Sequence, residues 1–409
     1  GFYMPFVAVA LIGLVLRVLS RSRLPGEKGL RNSNAMTVPI LVLLGYAAIT
    51  LFFTEAYEHS LFQMYAMLLN AAILMLMVCS VRDETFHKKV MWFLVAVGIV
   101  HALIVVALYG VKTGAIDYDR GLSGNVHFLA KVLTGGKNKG LFVRRGNAFN
   151  TPNDTAFMLN TFFPVALGLF MAETKKFRKW ILFFAMLIIS SGMLLAMSRA
   201  GIGAFVVMTL SVFFIFRRAR RYFIALSLAL LIGVLAIFYT ESVTLQSIFF
   251  RGQMETRISA MLKNQSSDTV ESSHFLKQRI QLWKRGVKML ERSSFMGAGV
   301  GNYKFYALAP HGHSIYFSTV FDFGILGLLV LIAVVFILAR YFLLFFRLQS
   351  SYFQIMGIAL FGGLIGIGIH GLVDFEYNNP LIWAYVGLTL STINLIRWEA
   401  SKNARAAVD

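Results

Sequence analysis

The chain has 409 residues, 57% of them hydrophobic, with a mean hydropathy of +0.69 and a formal net charge of +20. So large an apolar share excludes a soluble globular protein: a bilayer core of about 30 Å takes roughly 20 apolar residues per helix, and stretches of that kind recur along most of the sequence. The charge, which in a soluble domain would point to nucleic acid, is read as loop charge of a membrane protein, and the single Cys79 leaves neither a disulfide frame nor a cysteine metal site.

In chain order, apolar runs predict about eleven membrane helices, near 3–20, 37–54, 61–80, 89–111, 154–172, 180–197, 201–216, 222–239, 324–346, 353–372 and 380–396. The loops alternate in charge. RVLSRSRLPGEKGLR, VRDETFHKK, ETKKFRK, RRARR, the stretch around Arg340 and Arg347, and the tail RWEASKNAR are basic. The intervening loops TEAYEHS (54–60) and DFEYNNP (374–380) carry no Lys or Arg. The positive-inside rule then puts the C-terminus in the cytoplasm and Gly1 outside. No cleavable signal peptide is visible. An odd number of spans with an outside start predicts one further helix ahead of Gly1, about twelve in all.

Two long segments fall outside, roughly 112–153 and 240–323. Long loops escape the charge rule, and their length implies function or local structure. The second reads as two helical stretches, near 245–263 and 273–292, around the Ser-rich break QSSDTVESS. Three regions result: N-terminal transmembrane helices over 1–239, a large helical outer loop over 240–323, and C-terminal transmembrane helices with a cytoplasmic tail over 324–409.

Several outer cations need an explanation. Arg199, in AMSRAGIGAF, occupies an almost absent turn between two apolar helices. An arginine deep in a bilayer costs about 2.5–3.5 kcal/mol, so it faces a cavity or a partner; the other reading is a side chain snorkelling to the interface. The stretch SHFLKQRIQLWKRGVKMLER (273–292) is amphipathic at about 100° per residue. Lys277, Lys284 and Lys288 share one face, flanked by Arg285 and Arg292, and this face is solvated or touches lipid headgroups. Arg279 falls on the opposite face with Phe275, Leu282, Trp283, Gly286 and Leu290. A buried arginine requires an anion, either a structural carboxylate or a substrate. In VRRGNAFNTPNDTAFMLN, Arg144 and Arg145 precede a helix start at Thr151-Pro152-Asn153-Asp154; they are either surface arginines of a turn or part of a site.

His311 and His313 follow Pro310 and precede the span near Gly324, which would place His313 in a first helical turn at the outer membrane edge. A neutral imidazole accepts a proton near pH 7. A His-x-His metal site would need a third ligand, for which Asp322, Asp374 and Glu376 are the candidates. Histidines resting at headgroup level are the remaining reading. Asp117 and Asp119 form an Asp-x-Asp pair in a polar loop, and GGKNKG (135–140) lacks the strand and the Gly-Lys-Ser/Thr of a P-loop. GAGVGNY (297–303) reads as a tight Gly-rich turn, and His101 and His370 as packed span histidines.

All of these features map to one side of the membrane. Arginines without metal ligands, together with one candidate base, suit a lipid-linked pyrophosphate as donor, with the imidazole deprotonating an acceptor hydroxyl. The order R-R-G-N-A-F-N-T-P-N, S-R-A-G, R-x-x-x-W-x-x-G, G-A-G-V-G-N-Y, H-S-I-Y-F and F-G-I-L-G-L resembles the superfamily of O-antigen ligases and O-antigen polymerases over roughly 140–330. The resemblance implies an all-α polytopic, C-type glycosyltransferase-like protein of the bacterial inner membrane with a periplasmic active site. It implies metal-independent, inverting transfer of O-antigen from undecaprenyl pyrophosphate to a sugar hydroxyl of lipid A–core, in lipopolysaccharide biosynthesis, with no cofactor. The implied partners are those two lipids and the surrounding membrane lipids, not nucleic acid. The family's histidine matches His313 rather than His311, and its essential arginines match Arg199 and Arg279. Arg145 or Arg144 matches a further basic position, Trp283 belongs to the substrate-side helix, and Asp374 matches an acidic, orienting position. The single large late loop and the chain length favour a ligase over a polymerase, which carries the same motifs; ligases that modify pilins are relatives. A flippase or transporter for anionic lipids, or a structural partner in an envelope complex, would use outer cations differently: the first would show ionisable residues at mid-membrane, and the second needs no arginine on an apolar face.

Overall fold

A computed structural model describes residues 34–81, 83–112, 152–196, 198–215, 267–307, 314–345, 352–373 and 377–406. Among these residues there are eleven helices and no strand. They are α1 (Asn34–Thr50), α2 (Tyr57–Ser80), α3 (Glu84–Lys112), α4 (Pro152–Ala172), α5 (Lys176–Leu195), α6 (Arg199–Ile215), α7 (Ser267–Arg292), α8 (Tyr303–Ala307), α9 (Ile315–Phe345), α10 (Tyr352–Gly371) and α11 (Pro380–Ala406). Six helices are long and apolar enough to cross a bilayer: α2, α3, α4, α5, α9 and α10. α1 and α6 contribute shorter apolar stretches. The chain is thus an all-α, multi-pass membrane protein. Helices are forced on such segments because lipid offers no partner to a backbone N–H or C=O. The spans expected near 3–20 and 222–239, and the helical stretch near 245–263, lie outside the described residues.

The chain divides into two compact units. The first comprises 1–90, 278–364 and 370–409. In it α11 lies along α2 and α1 lies against α9. Gly387 permits the first approach, since a Cβ there would come within 2.7 Å of the Leu74 carbonyl oxygen. Leu43, Ala47, Met67, Val300, Phe323 and Tyr377 form one buried cluster. A polar pin closes the basic end. His87 is fully buried, with Nδ1 2.9 Å from the Tyr352 hydroxyl and Nε2 2.8 Å from Thr392 Oγ1. The Thr392 hydroxyl is spent on Leu388 O (2.9 Å), so Nε2–H donates to Thr392 and Nδ1 accepts from Tyr352, which makes the ring neutral.

The second unit comprises 91–277 and 365–369, and α4 packs against both α5 and α6 within it. The close contacts are made by small residues, as expected where van der Waals packing rather than water drives association. A Cβ on Gly98 would lie 2.7 Å from Phe162 Cβ, one on Gly192 2.9 Å from Ala102 Cβ, and one on Gly201 2.3 Å from Ala156 Cβ. His101 and His370 are buried, as read from sequence.

Three boundaries differ from expectation. α9 begins at Ile315, not near 324, because residues 315–323 form a helical section of their own that ends at Gly324 (φ 61°, ψ −146°). Ser314 caps this section, and His313 lies outside the described residues. α7 starts at Ser267, inside the Ser-rich stretch read as a break. α11 runs on through the basic tail to Ala406.

Gly324 tests this account. Its backbone conformation is nearly exclusive to glycine, and a Cβ would lie 2.0 Å from Phe295 O. Gly324→Ala is expected to cost about 3 kcal/mol or more, read as a clear fall in melting temperature of the detergent-solubilised protein. An unchanged melting point would refute the close approach.

Candidate functional site

The best-defined polar structure of the first unit surrounds Asp322. GAGVGNY must turn sharply, and Gly297, Gly299 and Gly301 have φ of 90°, 91° and 70°, a region L-residues avoid. The turn wraps the end of the first section of α9. The Ala298 N–H donates to Phe321 O (2.9 Å) and the Gly299 N–H to Asp322 O (3.0 Å). The Asp322 carboxylate is buried and accepts three hydrogen bonds: from the Tyr303 N–H (2.9 Å) on Oδ1, and from the Gly301 N–H (3.0 Å) and the Tyr377 hydroxyl (2.7 Å) on Oδ2. An ionised carboxylate only accepts, and burying its charge is tolerable when its oxygens are filled in this way.

The ends of α1 and α2 close the other side of the turn. The Val300 N–H donates to Thr50 Oγ1 (3.2 Å), and the Ser60 hydroxyl donates to Val300 O (2.9 Å). The Asn302 amide donates to the hydroxyls of Thr54 and Ser60. Asn378 is held by Gln63, whose Oε1 accepts its amide at 2.7 Å, and by Asn70, whose amide donates to Asn378 O at 2.8 Å. Lys304 donates to His59 Nδ1 (3.2 Å) beside this turn. The loops that lacked Lys and Arg in the sequence, 54–60 and 374–380, thus contribute residues to one knot with 297–303.

Ser314 starts α9. It is buried, its Oγ accepts the Phe317 N–H (3.5 Å) and its carbonyl the Ser318 N–H (2.9 Å), an N-cap arrangement. The section it opens supports α7. Phe317 stacks on Trp283 with centroids 4.4 Å apart, and Phe321 lies between Phe317 and Tyr303. A Cβ on Gly286 would meet Phe321 Cζ at 2.3 Å. Met289 and Leu290 are buried, while Lys284, Arg285, Lys288 and Arg292 are exposed, so the expected amphipathic division holds over 280–292. The Tyr303 hydroxyl donates to Leu282 O (2.6 Å). Burial and the nearby Asp322 push this phenol above its ordinary value against the pull of Arg285, so it stays protonated.

In the second unit, S-R-A-G resolves into parts. The Ser198 hydroxyl donates to Asn153 Oδ1 (2.6 Å) and accepts the Gly201 N–H (3.0 Å), so Ser198 caps α6. Gly201 admits Ala156 of α4, and its carbonyl accepts the Asn160 amide at 2.9 Å. Arg199, the first residue of α6, is left exposed.

Of the residues singled out by sequence, Arg199 belongs to the second unit and Trp283 to the first. His313, Arg144, Arg145 and Asp374, like His311, Asp117 and Asp119, lie outside the described residues. So does the Arg279 side chain, whose backbone is in α7. Among the described residues no three His, Cys, Asp or Glu side chains gather as a metal site requires. Asp322, one of the candidate third ligands read from sequence, accepts backbone and tyrosine donors; His311, His313, Asp374 and Glu376 lie outside the described residues. Sequence reading missed the role of Tyr377, Asn302 and Ser314; the acidic residue just ahead of Gly324 was the available signal for where the section ends.

The fold defines a multi-pass α-helical membrane protein with a polar knot at one end of its first unit. Residues 184–332 match the family described as O-antigen ligase. This segment contains Arg199, Trp283, the glycine turn, Ser314 and Asp322; Arg144, Arg145 and Asp374 fall outside it. No curated protein matches the chain.

Tyr377→Phe keeps the ring packed on Phe323 (5.1 Å) but removes one donor from the carboxylate. It is expected to destabilise by about 1–3 kcal/mol, and Asp322→Asn by more, because its NH₂ would face donors. Thermal unfolding in detergent measures both; a Tyr377→Phe melt equal to wild type would contradict the knot.

Proposed function

We propose that the protein is an O-antigen ligase, a metal-independent inverting glycosyltransferase of the bacterial inner membrane acting at the periplasmic face. The observation that carries this reading is the family match over 184–332, joined to a cap at Ser198 that presents Arg199 and to the motifs read from sequence. In the proposed reaction a sugar hydroxyl of lipid A–core attacks the anomeric carbon of O-antigen linked to undecaprenyl pyrophosphate. The new C–O bond forms as the bond to pyrophosphate breaks. The lipid pyrophosphate leaves with the electron pair, and His313 takes the hydroxyl proton.

Arg199 and Arg279 bind the pyrophosphate, where guanidinium forks make charge-assisted contacts that strengthen as charge develops on the leaving oxygen. Arg199 is also the first residue of α6, so an anion there meets the positive end of the helix dipole, worth about 0.3–1 kcal/mol. Arg145 or Arg144 adds a further cation, and Trp283 and Asp374 act on the substrate side. The C-terminus lies in the cytoplasm, and no metal or cofactor takes part.

The test offers the purified protein undecaprenyl-pyrophosphate-linked O-antigen with lipid A–core. Product on lipid A–core supports the ligase. Growth of the polyprenyl-linked chain makes the protein a polymerase, and transbilayer movement of the donor without transfer makes it a flippase. His313→Ala is expected to lower turnover by roughly 10²–10⁴-fold, the range of general-base help, with unchanged folding, while His311→Ala is milder; swapped phenotypes would assign the base to His311. EDTA is expected to leave turnover unchanged, and loss restored by Mg²⁺ or Mn²⁺ would return attention to Asp117 and Asp119.

A further inference from the structure

We propose that the exposed face of α7 and the turn after it form a lipid-binding surface. In this arrangement Ile280, Val287, Phe295 and Met296 enter the acyl boundary of the leaflet at that end of the first unit, and the neighbouring cations lie on its acidic headgroups. The inference needs only the multi-pass placement of the chain, so it stands or falls independently of any glycosyl transfer.

Depth comes first. Gly286 lies against the ring of Phe321, three residues before Gly324, where the apolar span of α9 begins. The turn that follows α7 is tied to the same level. Phe295 O accepts the Ile325 N–H (3.0 Å), and Met296 O accepts the Tyr46 hydroxyl (2.8 Å), one turn from the end of α1. The backbone of this turn is therefore held where a span enters the bilayer, yet its side chains point away from the protein: Phe295 is 55% and Met296 48% exposed.

The face of α7 repeats the pattern. Ile280 and Val287 are 43% and 47% exposed, and at about 100° per residue, positions seven apart fall nearly over one another. They make a narrow aliphatic ridge. One flank of the ridge is protein, through Trp283 and Leu290 packed around Phe321. The other flank is the exposed row of Lys284, Lys288, Arg292 and Arg285, with Glu291 as the acidic member. Aliphatic side chains beside cations, at the depth where a span enters, match a helix lying in a membrane interface. Lys and Arg reach the headgroups while their stems cover apolar surface. A soluble polyanion would be served by the cations but would leave the ridge and Phe295 in water.

The full chain is placed in nanodiscs of phosphatidylcholine alone or mixed with phosphatidylglycerol. Acetylation of Lys284 and Lys288 by an N-hydroxysuccinimide ester is followed by mass spectrometry. Phosphatidylglycerol is expected to slow it roughly fivefold, the scale of about 1 kcal/mol per cation at an acidic surface. Salt at about 0.5 M should reverse the protection. In a Cys79→Ala background, a fluorophore on Val287→Cys is expected to be quenched by lipids with brominated acyl chains, and one on Gln281→Cys, on the cationic side, to be quenched far less. Equal acetylation in the two nanodiscs overturns the proposal. So does protection without quenching at position 287, which would mean that the row meets a soluble polyanion or a protein instead.

Discussion

A buried carboxylate without donors is one of the costliest features a fold can carry, and much of the first unit is arranged so that Asp322 is not in that state. Among the described residues, donors to it come from 301, 303 and 377, so the chain has to return to one point from two directions. Each return imposes its own demand. Gly299 and Gly301 must take positive φ so that the turn's N–H groups face inward. Gly324 must let the chain leave the knot in a conformation that admits Phe295 O at a Cβ position. Tyr377 must be long enough to bring its hydroxyl into the interior, and Trp383 fixes its carbonyl from behind (2.7 Å). Together these features fill the carboxylate's oxygens, which is what makes its burial tolerable.

Among its described residues the second unit buries no carboxylate. Its close approaches at Gly98, Gly192 and Gly201 are places where one helix presents no side chain to the next, the form of association that lipid favours. At the start of α6 polar groups serve the backbone. Ser198 replaces the missing helical partner of the Gly201 N–H, and Asn160 takes the Gly201 carbonyl. The result is a rigid frame around one residue, Arg199, whose side chain is left to the exterior. The four letters S-R-A-G are physically a cap, a contact and a bond, with the arginine as what they present.

Hydropathy was enough to place nine of the expected spans on helices, because each is a continuous apolar run. The division of α7 was legible as well, since Leu282, Trp283, Gly286 and Leu290 recur at helical spacing against Lys284, Lys288 and Arg292. The start of α9 was not. IYFSTVFDF mixes Ser, Thr and Asp among aromatics, and its helical stability comes from the Ser314 cap and from stacking under α7, neither of which has a hydropathy signal. Asp322 could be noticed, but its partner Tyr377 is 55 residues away, and nothing local marks the pair. His87 was hidden for the opposite reason. It stands in a strongly basic loop and was absorbed into the topological charge, yet the fold buries it between Tyr352 and Thr392.

The charge balance links these observations to function. The sequence has 39 Lys and Arg against 19 Asp and Glu, so at least half of the cations have no acid in the chain to meet. Most belong to basic loops, where water and headgroups suffice. The acids are further depleted by structural duty: Asp322 is consumed by the knot, Glu84 pairs with Lys88, and Glu173 pairs with Arg178. The cations of α7 and Arg199 therefore sit in a protein short of free carboxylates. The phosphate groups of membrane lipids are one source of counter-charge for them. The α7 row, proposed to meet headgroups, and Arg199, proposed to meet a lipid pyrophosphate, differ in geometry: the row is spread along a surface, whereas Arg199 is held at a single point, the first residue of α6 behind the Ser198 cap.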